Sequence, residues 1–315
     1  MSWVAQDTTL AFRVGVVSLF EAPLRTLVQT EHFTALAPAV TEQAPRAELA
    51  AAAREVAFIP SCPLPAAAPS LSLADGWVRY VARRHPHYYV EVDGDFDSYL
   101  QRHVSKRSRK TLRRLERRFR RQGDARLREY RRAAELERFL PLARRLSRRT
   151  YQERLLQRGI PRTTEFQRRT MALARADRCR GLLLFIGDRP VAYDYCEIDP
   201  GGTIMVIEHG GYDPAYERWS PGTLLDYLLL QGSFAERQIR IVDFGEGEGA
   251  YKARFATGQA PCATVYFFRP TPRHLAIFGG HLLLHRGYAR GRDLAAELGL
   301  LEPIRRTAKL LAANR

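Results

Sequence analysis

The middle of the chain alternates between the hydrophobic spacing of helices and that of strands. Apolar residues at every third or fourth position predict helices over residues 96–121, 134–157 and 164–176. Shorter apolar runs predict strands, and Gly-Asp and Pro-Gly-Gly turns typical of hairpins separate the last three of them. These strands cover residues 126–130, 181–186, 190–198 and 203–209.

The pattern changes after the last hairpin strand, where a Gly-Gly pair interrupts the chain. An apolar helix over 221–235 follows, then a strand over 239–244, a short helix over 249–257 and a strand over 263–268. Helices first, then a strand meander, then this alternation predict an α+β, three-layer domain in which helices flank a mixed β-sheet.

Both ends of the chain carry weaker patterns, which prolines and glycines interrupt. Prolines at positions 60, 63, 65 and 69 predict a loop or linker. The tail, 272–315, is predicted to be helical and broken near 287–291. The elements predicted before residue 95 are a strand over 12–20, helices over 24–36 and 48–58, and strands over 77–81 and 88–92.

Charge is concentrated in one part of the sequence. The chain carries a net charge of +16, but residues 100–175 alone carry 26 Lys and Arg against 7 Asp and Glu, so the remainder is slightly acidic. The run from His103 to Arg121 is almost entirely basic outside one apolar stripe. The basic character therefore belongs to a helical segment and not to the whole protein.

This basic helix has several possible functions. Beside an active site it would attract an anionic ligand such as acyl-CoA, a nucleotide sugar or a phospholipid-linked acceptor. It could instead bind nucleic acid through phosphates, although Phe119 is the one aromatic residue interleaved with the charges. A third function is contact with an anionic membrane surface, and a fourth interpretation is a solvated face without a partner.

The cysteine positions and the lengths of the apolar runs indicate the expected cellular compartment. The four cysteines are far apart in sequence, which favours free thiols in a reducing compartment. No leader pattern and no apolar run of the roughly 18–20 residues that a membrane span needs is present. We therefore expect a cytoplasmic protein, with peripheral membrane contact possible. His281 and His285 lack the Glu of an H-E-x-x-H motif, so no metal is expected.

A candidate anion site lies where the Gly-Gly break meets the apolar helix. Ser220 is a suitable N-cap residue and Pro221 a suitable first helical residue. The free N–H groups and positive dipole end of such a helix can hold a pyrophosphate.

The order of short motifs in this region resembles one acyltransferase superfamily. Tyr-Asp, Ser-Pro-Gly, Leu-Leu, Asp-Phe-Gly and Tyr-Lys occur in that order, at Tyr212, Asp213, Ser220, Pro221, Gly222, Leu224, Leu225, Asp243, Phe244, Gly245, Tyr251 and Lys252. The run is similar to the cofactor-binding half of the GNAT acyl-CoA-dependent N-acyltransferases, and in detail to the CelD-like branch from bacterial exopolysaccharide loci. The resemblance covers about residues 88–268.

The resemblance implies a domain plan and a reaction. Residues 1–90 would be a degenerate GNAT-like half or accessory domain, 91–270 the acyltransferase domain and 271–315 a helical tail. Acyl-CoA, most simply acetyl-CoA, would be the donor. The acceptor would be an amine, such as that of an amino sugar or another cell-envelope or exopolysaccharide precursor, attacking directly in a ternary complex.

Four residues are candidates for catalysis. Glu208 and His209 end the strand that would face the thioester, and strand alternation allows only one of them into the cleft. Glu208 is the usual residue type for a base at this position, whereas His209 titrates nearer neutral pH and adjoins the glycines, which slightly favours His209. Asp213 lies where an amine could arrive. Tyr251 is placed to protonate the departing sulfur.

Further residues are candidates for binding. The segment from Arg218 to Thr223 gives an approximate version of the GNAT pyrophosphate signature, in which Pro221 offers no N–H. Asp243 and Arg254 are candidates for contact with substrate. The candidates for contact with the cofactor are Arg218, Trp219, Ser220, Gly222, Thr223, Leu224 and Lys252.

Two other functions stay open at this point. A Fem-type transferase would keep the fold but use aminoacyl-tRNA as donor, which the positive charge would suit. A non-catalytic module would bind nucleic acid or anionic membrane through residues 100–132. That module would depend on Arg113, Arg114, Arg117 and Arg118 and not on Tyr251.

Overall fold

The computed structural model describes residues 3–15, 17–121, 125–150 and 159–297. Internal contacts divide the chain into two compact units, one formed by residues 1–84 with 263–315 and the other by residues 85–262. The domain boundaries expected near residues 90 and 270 remain a proposal.

The elements of the described chain are named in chain order. The strands are β1 (Trp3–Val14), β2 (Val17–Gln29), β3 (Val56–Pro63), β4 (Leu71–Ala74), β5 (Trp77–Glu91), β6 (Arg126–Tyr130), β7 (Cys179–Ile186), β8 (Arg189–Ile198), β9 (Ile204–Tyr212), β10 (Ile241–Glu246) and β11 (Gly258–Phe268). The helices are α1 (Pro38–Glu42), α2 (Arg46–Ala51), α3 (Phe96–His103), α4 (Lys106–Arg120), α5 (Ala133–Ser147), α6 (Thr164–Arg175), α7 (Pro221–Ala235), α8 (Ala250–Phe255) and α9 (Pro272–Glu297).

The unit formed by residues 85–262 contains a mixed sheet with the strand order β5-β10-β9-β8-β7-β6. Neighbouring strands in this order are antiparallel except β9 and β10, which are parallel. Helices α3, α4 and α7 pack on one face of the sheet, and α5 and α6 pack on the other. The predicted three-layer α+β architecture is confirmed.

Strand β8 illustrates how the two faces are separated. Ala192, Cys196 and Ile198 belong to the apolar core beneath α7, whereas Tyr193 and Tyr195 belong to the core beneath α5 and α6. The alternation follows from the period of two along a strand. The strand is buried on both faces, so its sequence is almost continuously apolar.

The predicted helix over 96–121 is two helices in the structure. Asp95 accepts the Ser98 N–H to begin α3, and Ser105 accepts the Ser108 N–H to begin α4. Val104 between them is extended. Ser105 is a second N-cap residue and begins a new helix. The apolar stripe of the predicted helix is therefore divided between α3 and α4. Gly123, expected to end the helix, lies outside the described residues.

The predicted helix over 134–157 begins one residue earlier, at Ala133, and α5 ends at Ser147. The part of the prediction over 151–158 lies outside the described residues. The helices over 164–176 and 221–235 and the hairpin strands agree with the structure within about three residues. Strong periodicity explains this agreement, because both faces of each element are specified by packing.

The other unit departs more from expectation. Strand β2 runs to Gln29 where a helix over 24–36 was predicted, and α2 ends at Ala51 so that β3 occupies the rest of 48–58. The strands expected over 77–81 and 88–92 are one strand, β5. Helix α9 continues through the predicted break near 287–291 to Glu297, and 298–315 lie outside the described residues.

These departures have a common cause. The β1–β2 hairpin turns at Gly15, whose φ of +60° suits glycine, and its strands pair over most of their length. Strand order in this unit includes β1-β2-β3-β11, and β4 pairs with β5. Long-range strand pairing therefore overrides the local helical preference of the alanine- and leucine-rich segments.

Candidate functional site

The site is built where two parallel strands of the unit formed by residues 85–262 stop pairing. Strands β9 and β10 are aligned at Ile204–Ile241, Met205–Val242 and Val206–Asp243. Both strands continue further, to Tyr212 and Glu246. The ends beyond the paired segment therefore leave backbone and side chains open to a ligand.

On its other edge, where β9 pairs with β8, β9 has a β-bulge at Glu208. His209 is aligned with Tyr195 of β8, but Ile207 is aligned with Cys196, so Glu208 is an extra residue in the ladder. Bulges disturb pairing locally and redirect side chains, and they are frequent beside active sites.

Glu208 combines access to solvent with a strongly perturbed acidity. Its side chain keeps exposed surface, yet protein atoms crowd around it, as they do for a carboxyl at the floor of an open cleft. This loss of hydration raises its pKa to about 7, and the negative charges of Glu197, Asp243 and Glu246 act in the same direction. Arg169 opposes the shift. Glu208 is therefore partly ionised at neutral pH.

His209 lies on the face of the sheet covered by α5 and α6. Its ring centroid is 5.7 Å from that of Phe166 and 6.2 Å from that of Tyr195, a buried core residue. The ring thus packs among aromatic side chains. Glu208, in contrast, lies near the negative charges of Asp243 and Glu246 on β10. This placement does not favour His209 as the base, although the sequence slightly preferred it.

Asp243 is fully buried and already has partners. The Nδ1 atom of His87 lies 3.0 Å from one carboxylate oxygen, and the Gly245 N–H donates to the other at 2.8 Å. His85 lies 3.8 Å from Glu246 nearby. The sequence analysis missed His85 and His87, although two histidines on one apolar strand were a visible signal.

Tyr251 lies at the entrance of helix α8. Its side chain remains 43% exposed, and its ring contacts Phe244 edge to face. Burial of the hydroxyl raises its pKa, and the charges of Asp226 and Asp194 raise it further. Tyr251 therefore stays protonated at neutral pH and can donate a proton.

The predicted binding residues around Tyr251 differ in exposure. Lys252 is buried, and its Nζ donates to the carbonyl oxygens of Gly245 at 3.1 Å and Glu246 at 2.9 Å. This ammonium group holds the loop that follows β10, an arrangement that does not favour its expected contact with phosphate. Arg254 is exposed and stays a candidate for substrate contact.

Two buried aspartates lie on the α7 face of the sheet, and the sequence analysis missed both. Asp194 of β8 is 5% exposed and Asp226 of α7 is 7% exposed. Their signal was an acidic residue inside an otherwise apolar run, in Val191–Cys196 and in Leu224–Leu230. Such positions require a partner or a function.

The N-terminus of α7 is less regular than expected. Ser220 is the N-cap by position, but it adopts φ +47° and ψ +51°, and its side chain makes no capping hydrogen bond. Leu224 is buried in the core, and its N–H donates to the Ser220 carbonyl. Two N–H groups, those of Gly222 and Thr223, therefore remain at this end for an anion.

The basic helix α4 reaches this same end of α7. The guanidinium carbon of Arg118 lies 3.7 Å from the centroid of the Trp219 ring, and that of exposed Arg218 lies 5.6 Å away. The cation–π stack of Arg118 on Trp219 joins the charged face of α4 to the candidate pyrophosphate loop. The predicted residues of the loop are thus brought together with positive charge.

Asp213 is held by two arginines. Its carboxylate accepts from Arg149 at 3.2 Å, from Arg189 at 3.0 Å and from the Ala215 N–H at 3.1 Å. Burial alone would raise the pKa of Asp213, but these hydrogen bonds outweigh it and lower the pKa. A carboxylate engaged in this way does not favour the predicted catalytic role.

The same two arginines line an open cavity of about 500 Å³, together with Arg145 and Asp188. Its wall is otherwise apolar, formed by Leu142, Leu146, Ile186 and Pro190. The three guanidinium groups make this a place for an anionic portion of a ligand.

Comparison with known proteins agrees with this geometry. The family described as "Acetyltransferase (GNAT) domain" matches residues 106–253, which contain the bulge, the parallel strand pair and α7. These residues are a GNAT-type acyltransferase domain. The mixed sheet with flanking helices is the fold expected of that family.

Three of the solved structures that are similar to the chain show the extent of this similarity. FemX shares 10% identity, with 87% of this chain and 90% of FemX covered and a TM-score of 0.53. L-PGS from Bacillus licheniformis shares 14% identity over 74% of this chain and 75% of that chain, with a TM-score of 0.46. A GCN5-related N-acetyltransferase from Kribbella flavida shares 15% identity over 86% and 91%, with a TM-score of 0.36. At these identities the likeness concerns the fold alone.

A search of curated proteins gives no match for the chain. The CelD-like branch expected from the motifs of the GNAT domain therefore stays a prediction. Among the described residues, no helix is long and apolar enough to span a membrane. Over the same part of the chain, no group of three or more His, Cys, Asp or Glu side chains is arranged to hold a metal ion. All four cysteines are buried and free.

Proposed function

We propose that the GNAT domain transfers an acyl group, most simply acetyl, from acyl-CoA to the amine of an acceptor by direct attack in a ternary complex. Glu208 is the general base that takes a proton from the acceptor ammonium group, and the neutral amine that results attacks the thioester carbonyl. Tyr251 is the general acid that protonates the departing thiolate. Most of the barrier reduction comes from holding the two reactants together.

The acidity of Glu208 is the observation that carries the proposal. A general base works best when its pKa is close to the working pH, because it is then both ionised and able to hold a proton. The bulge exposes this carboxyl at the open end of the parallel pair, and its pKa of about 7 suits the role. His209 would need to leave its aromatic neighbours to serve instead.

Tyr251 suits the second proton transfer. The hydroxyl keeps its proton at neutral pH because burial and two nearby acidic groups disfavour the phenolate. A thiolate leaving group needs one proton, and an exposed tyrosine beside the open strand ends can deliver it.

The donor would bind across the N-terminus of α7. The Gly222 and Thr223 N–H groups and the positive end of the helix dipole favour a pyrophosphate there. Because Pro221 contributes no N–H, the charged face of α4 around Arg118 supplies part of the attraction.

The acceptor would approach from the face that carries Glu208 and Asp243. The three arginines of the cavity near Asp213 favour an acceptor with an anionic portion as well as an amine. An amino sugar linked to a phosphate group, as in a cell-envelope or exopolysaccharide precursor, has both features.

Calorimetric titration of acetyl-CoA and of a longer acyl-CoA tests the donor site. A Cβ on Gly222 would lie 3.2 Å from the Tyr212 ring, so Gly222→Trp should block the loop. Gly232 lies on the same helix with no atom within 4 Å of its Cβ position, so Gly232→Trp is a matched control. Saturable binding lost only in Gly222→Trp supports the proposal, and absence of acyl-CoA binding by the unaltered protein contradicts it.

A Fem-type transferase that uses aminoacyl-tRNA is the second candidate. The charge of α4, joined to the donor loop through Arg118 and Trp219, also suits a nucleic-acid donor. Titration of aminoacyl-tRNA at increasing salt separates the two donors. Binding that needs Gly222 and tolerates salt favours acyl-CoA, whereas binding of tRNA with a steep salt dependence favours the Fem-type reaction.

A further inference from the structure

Asp194 and Asp226 lie close together in an apolar interior. Asp194 projects from β8 on the same face as Ala192 and Cys196, and Asp226 projects from α7 among Leu225 and Leu229. Burial is the main cause that raises the pKa of Asp194, and the charge of Asp226 raises it further, so the two carboxyls influence one another. They form a pair between a strand and the helix that covers it.

The pair lacks hydrogen-bond donors. The Oδ2 atom of Asp194 is buried and has no hydrogen-bond partner. Among the described residues, none donates a hydrogen bond to the carboxyl of Asp226 either. Buried carboxyl oxygens in folded proteins almost always have a donor, so its absence requires an explanation.

The backbone opposite the pair is shaped around it. Gly210 of β9 is aligned with Asp194, and a Cβ at Gly210 would lie 2.4 Å from the Asp194 Oδ1 atom. No side chain fits in that space without moving the carboxyl. The first glycine of the Gly-Gly break therefore makes room for Asp194.

Two basic residues act on the charge of Asp226. Lys252 and Arg254 lower the pKa of Asp226, but burial dominates and raises it to about 7. The Lys252 ammonium donates to the carbonyl oxygens of Gly245 and Glu246. Tyr251 lies close enough to feel the charges of both aspartates.

Such an arrangement is costly for a folded chain. Two acidic groups without donors in an apolar environment destabilise the native state, and apolar residues of similar volume would serve packing better. Perturbed acidic groups of this kind cluster at functional sites, where a ligand supplies the missing partner.

We propose that Asp194 and Asp226 bind a primary ammonium group of a substrate. An ammonium group carries three donors and no acceptor, which matches two carboxylates that offer only acceptors once they have released their protons. Because Tyr251 senses the charges of both aspartates, the bound ammonium group belongs to a substrate whose reacting group, the thioester or ester carbonyl of a donor or the amine of an acceptor, lies near the general acid. This inference rests on the proposed acyl transfer at the open strand ends.

Two sources of the ammonium group share this chemistry. In an aminoacyl donor, the α-amino group lies next to the reacting carbonyl. In a diamine or amino-sugar acceptor, one amine reacts while another is bound. The choice of the titrated compound separates these two sources of the ammonium group.

Calorimetric titration of L-alaninamide, which carries the α-ammonium of an aminoacyl group, is the first arm. N-acetyl-L-alaninamide is its matched control, because it lacks only the charge. Glucosamine and putrescine form the acceptor arm, with N-acetylglucosamine as control. We expect one arm to bind and its acetylated or uncharged control to bind at least tenfold more weakly.

Variants locate the bound group. Asp194→Asn and Asp226→Asn should each weaken binding at least tenfold, whereas Asp7→Asn, on an exposed side chain outside residues 85–262, should leave it unchanged. Circular dichroism and thermal unfolding confirm that each variant is folded. Binding should also release protons, so the observed enthalpy should change with the ionisation enthalpy of the buffer.

The outcomes separate this inference from the proposed function. Acetyl-CoA binding that Gly222→Trp abolishes, without binding of any amine, overturns the ammonium site and leaves the acyl-CoA reaction intact. Amine binding lost in the aspartate variants, without acetyl-CoA binding, supports the ammonium site and overturns the acyl-CoA donor. Amine binding that both aspartate variants retain overturns the inference.

Discussion

Asp213 and the Asp194–Asp226 pair are buried acidic groups within one domain, but their surroundings are opposite. Three donors hold Asp213, and its pKa is lowered. Asp194 has an oxygen without any donor, and its pKa is raised by burial and then by Asp226. From this comparison we propose that Asp213 serves the fold, whereas the pair and the similarly perturbed Glu208 serve the reaction.

The largest effect is expected from Glu208→Gln. Loss of the general base should lower kcat/KM for acyl transfer by about 10²- to 10⁴-fold. In the unaltered enzyme, kcat/KM should rise with pH through about 7, because the base must be ionised to accept a proton, and the variant should lose this limb. Steady-state kinetics between pH 5.5 and 8.5 provides the measurement.

Asp213→Asn is the control variant that tests the comparison between Asp213 and Glu208. It should lower stability, because Arg149 and Arg189 lose their charged partner, while the pH limb near 7 remains. If Asp213→Asn removes that limb and Glu208→Gln does not, the assignment of the two carboxyls is reversed.

Tyr251→Phe should have the next largest effect. Removal of the proton donor should lower kcat by about 10²-fold while the affinity for the donor changes little. Tyr288, which is 40% exposed, provides a control of similar exposure through Tyr288→Phe. Full activity in Tyr251→Phe would contradict the assignment of Tyr251 as the general acid.

The dependence of stability on pH should sharpen the contrast further. The pKa of Asp226 is raised in the folded state, so the native protein binds more protons than the unfolded chain, and stability should fall as pH rises from about 4 through 7. Asp213 acts in the opposite sense. Its contribution is present above its unfolded pKa and is lost as pH falls through its lower folded pKa.

Asp194→Asn and Asp226→Asn should therefore raise the thermal midpoint, most clearly at pH 8. Each kcal/mol of relief corresponds to roughly 2–4 °C for a domain of this size. Thermal unfolding at pH 5 and pH 8 measures the change. A lower midpoint in both variants at pH 8 would mean that the carboxylates are needed for packing, and the contrast with Asp213 would disappear.

Local sequence patterns predicted the domain that carries the site better than the rest of the chain. The helix over 164–176 has a clear hydrophobic period, whereas the helix over 221–235 and strand β7 are long apolar runs. Turn or capping residues separate these elements from their neighbours. Strand β2 has no such signal, since its leucines and valines fit a helix until β1 and β3 pair with it. Pairing between distant segments is not encoded in local periodicity.

The candidate site shows the same limit. Short motifs drew attention to Glu208, Tyr251 and the loop before α7, because turns and caps are local, and the roles of these residues stay predictions. Asp194 and Asp226 were missed because their significance depends on the absence of donors around them. That absence is visible only when β8, β9 and α7 are assembled.

The smallest expected effect concerns Arg118, and it tests whether the basic helix belongs to the donor site. The stack on Trp219 positions this arginine at the N-terminus of α7, so Arg118→Ala should weaken acyl-CoA binding about two- to fivefold, the range of a partly exposed cation–π contact. Arg114 is exposed on the same helix, and Arg114→Ala removes the same charge from a residue outside the described cation–π contacts of Trp219. Calorimetry at two salt concentrations compares the acyl-CoA affinities of the two variants.

A larger loss of affinity in Arg118→Ala that persists at high salt supports a specific contact, because stacking is screened less than a distant charge. Equal losses that vanish at high salt would mean that α4 acts only through its field, and the Trp219 stack would then have no part in binding.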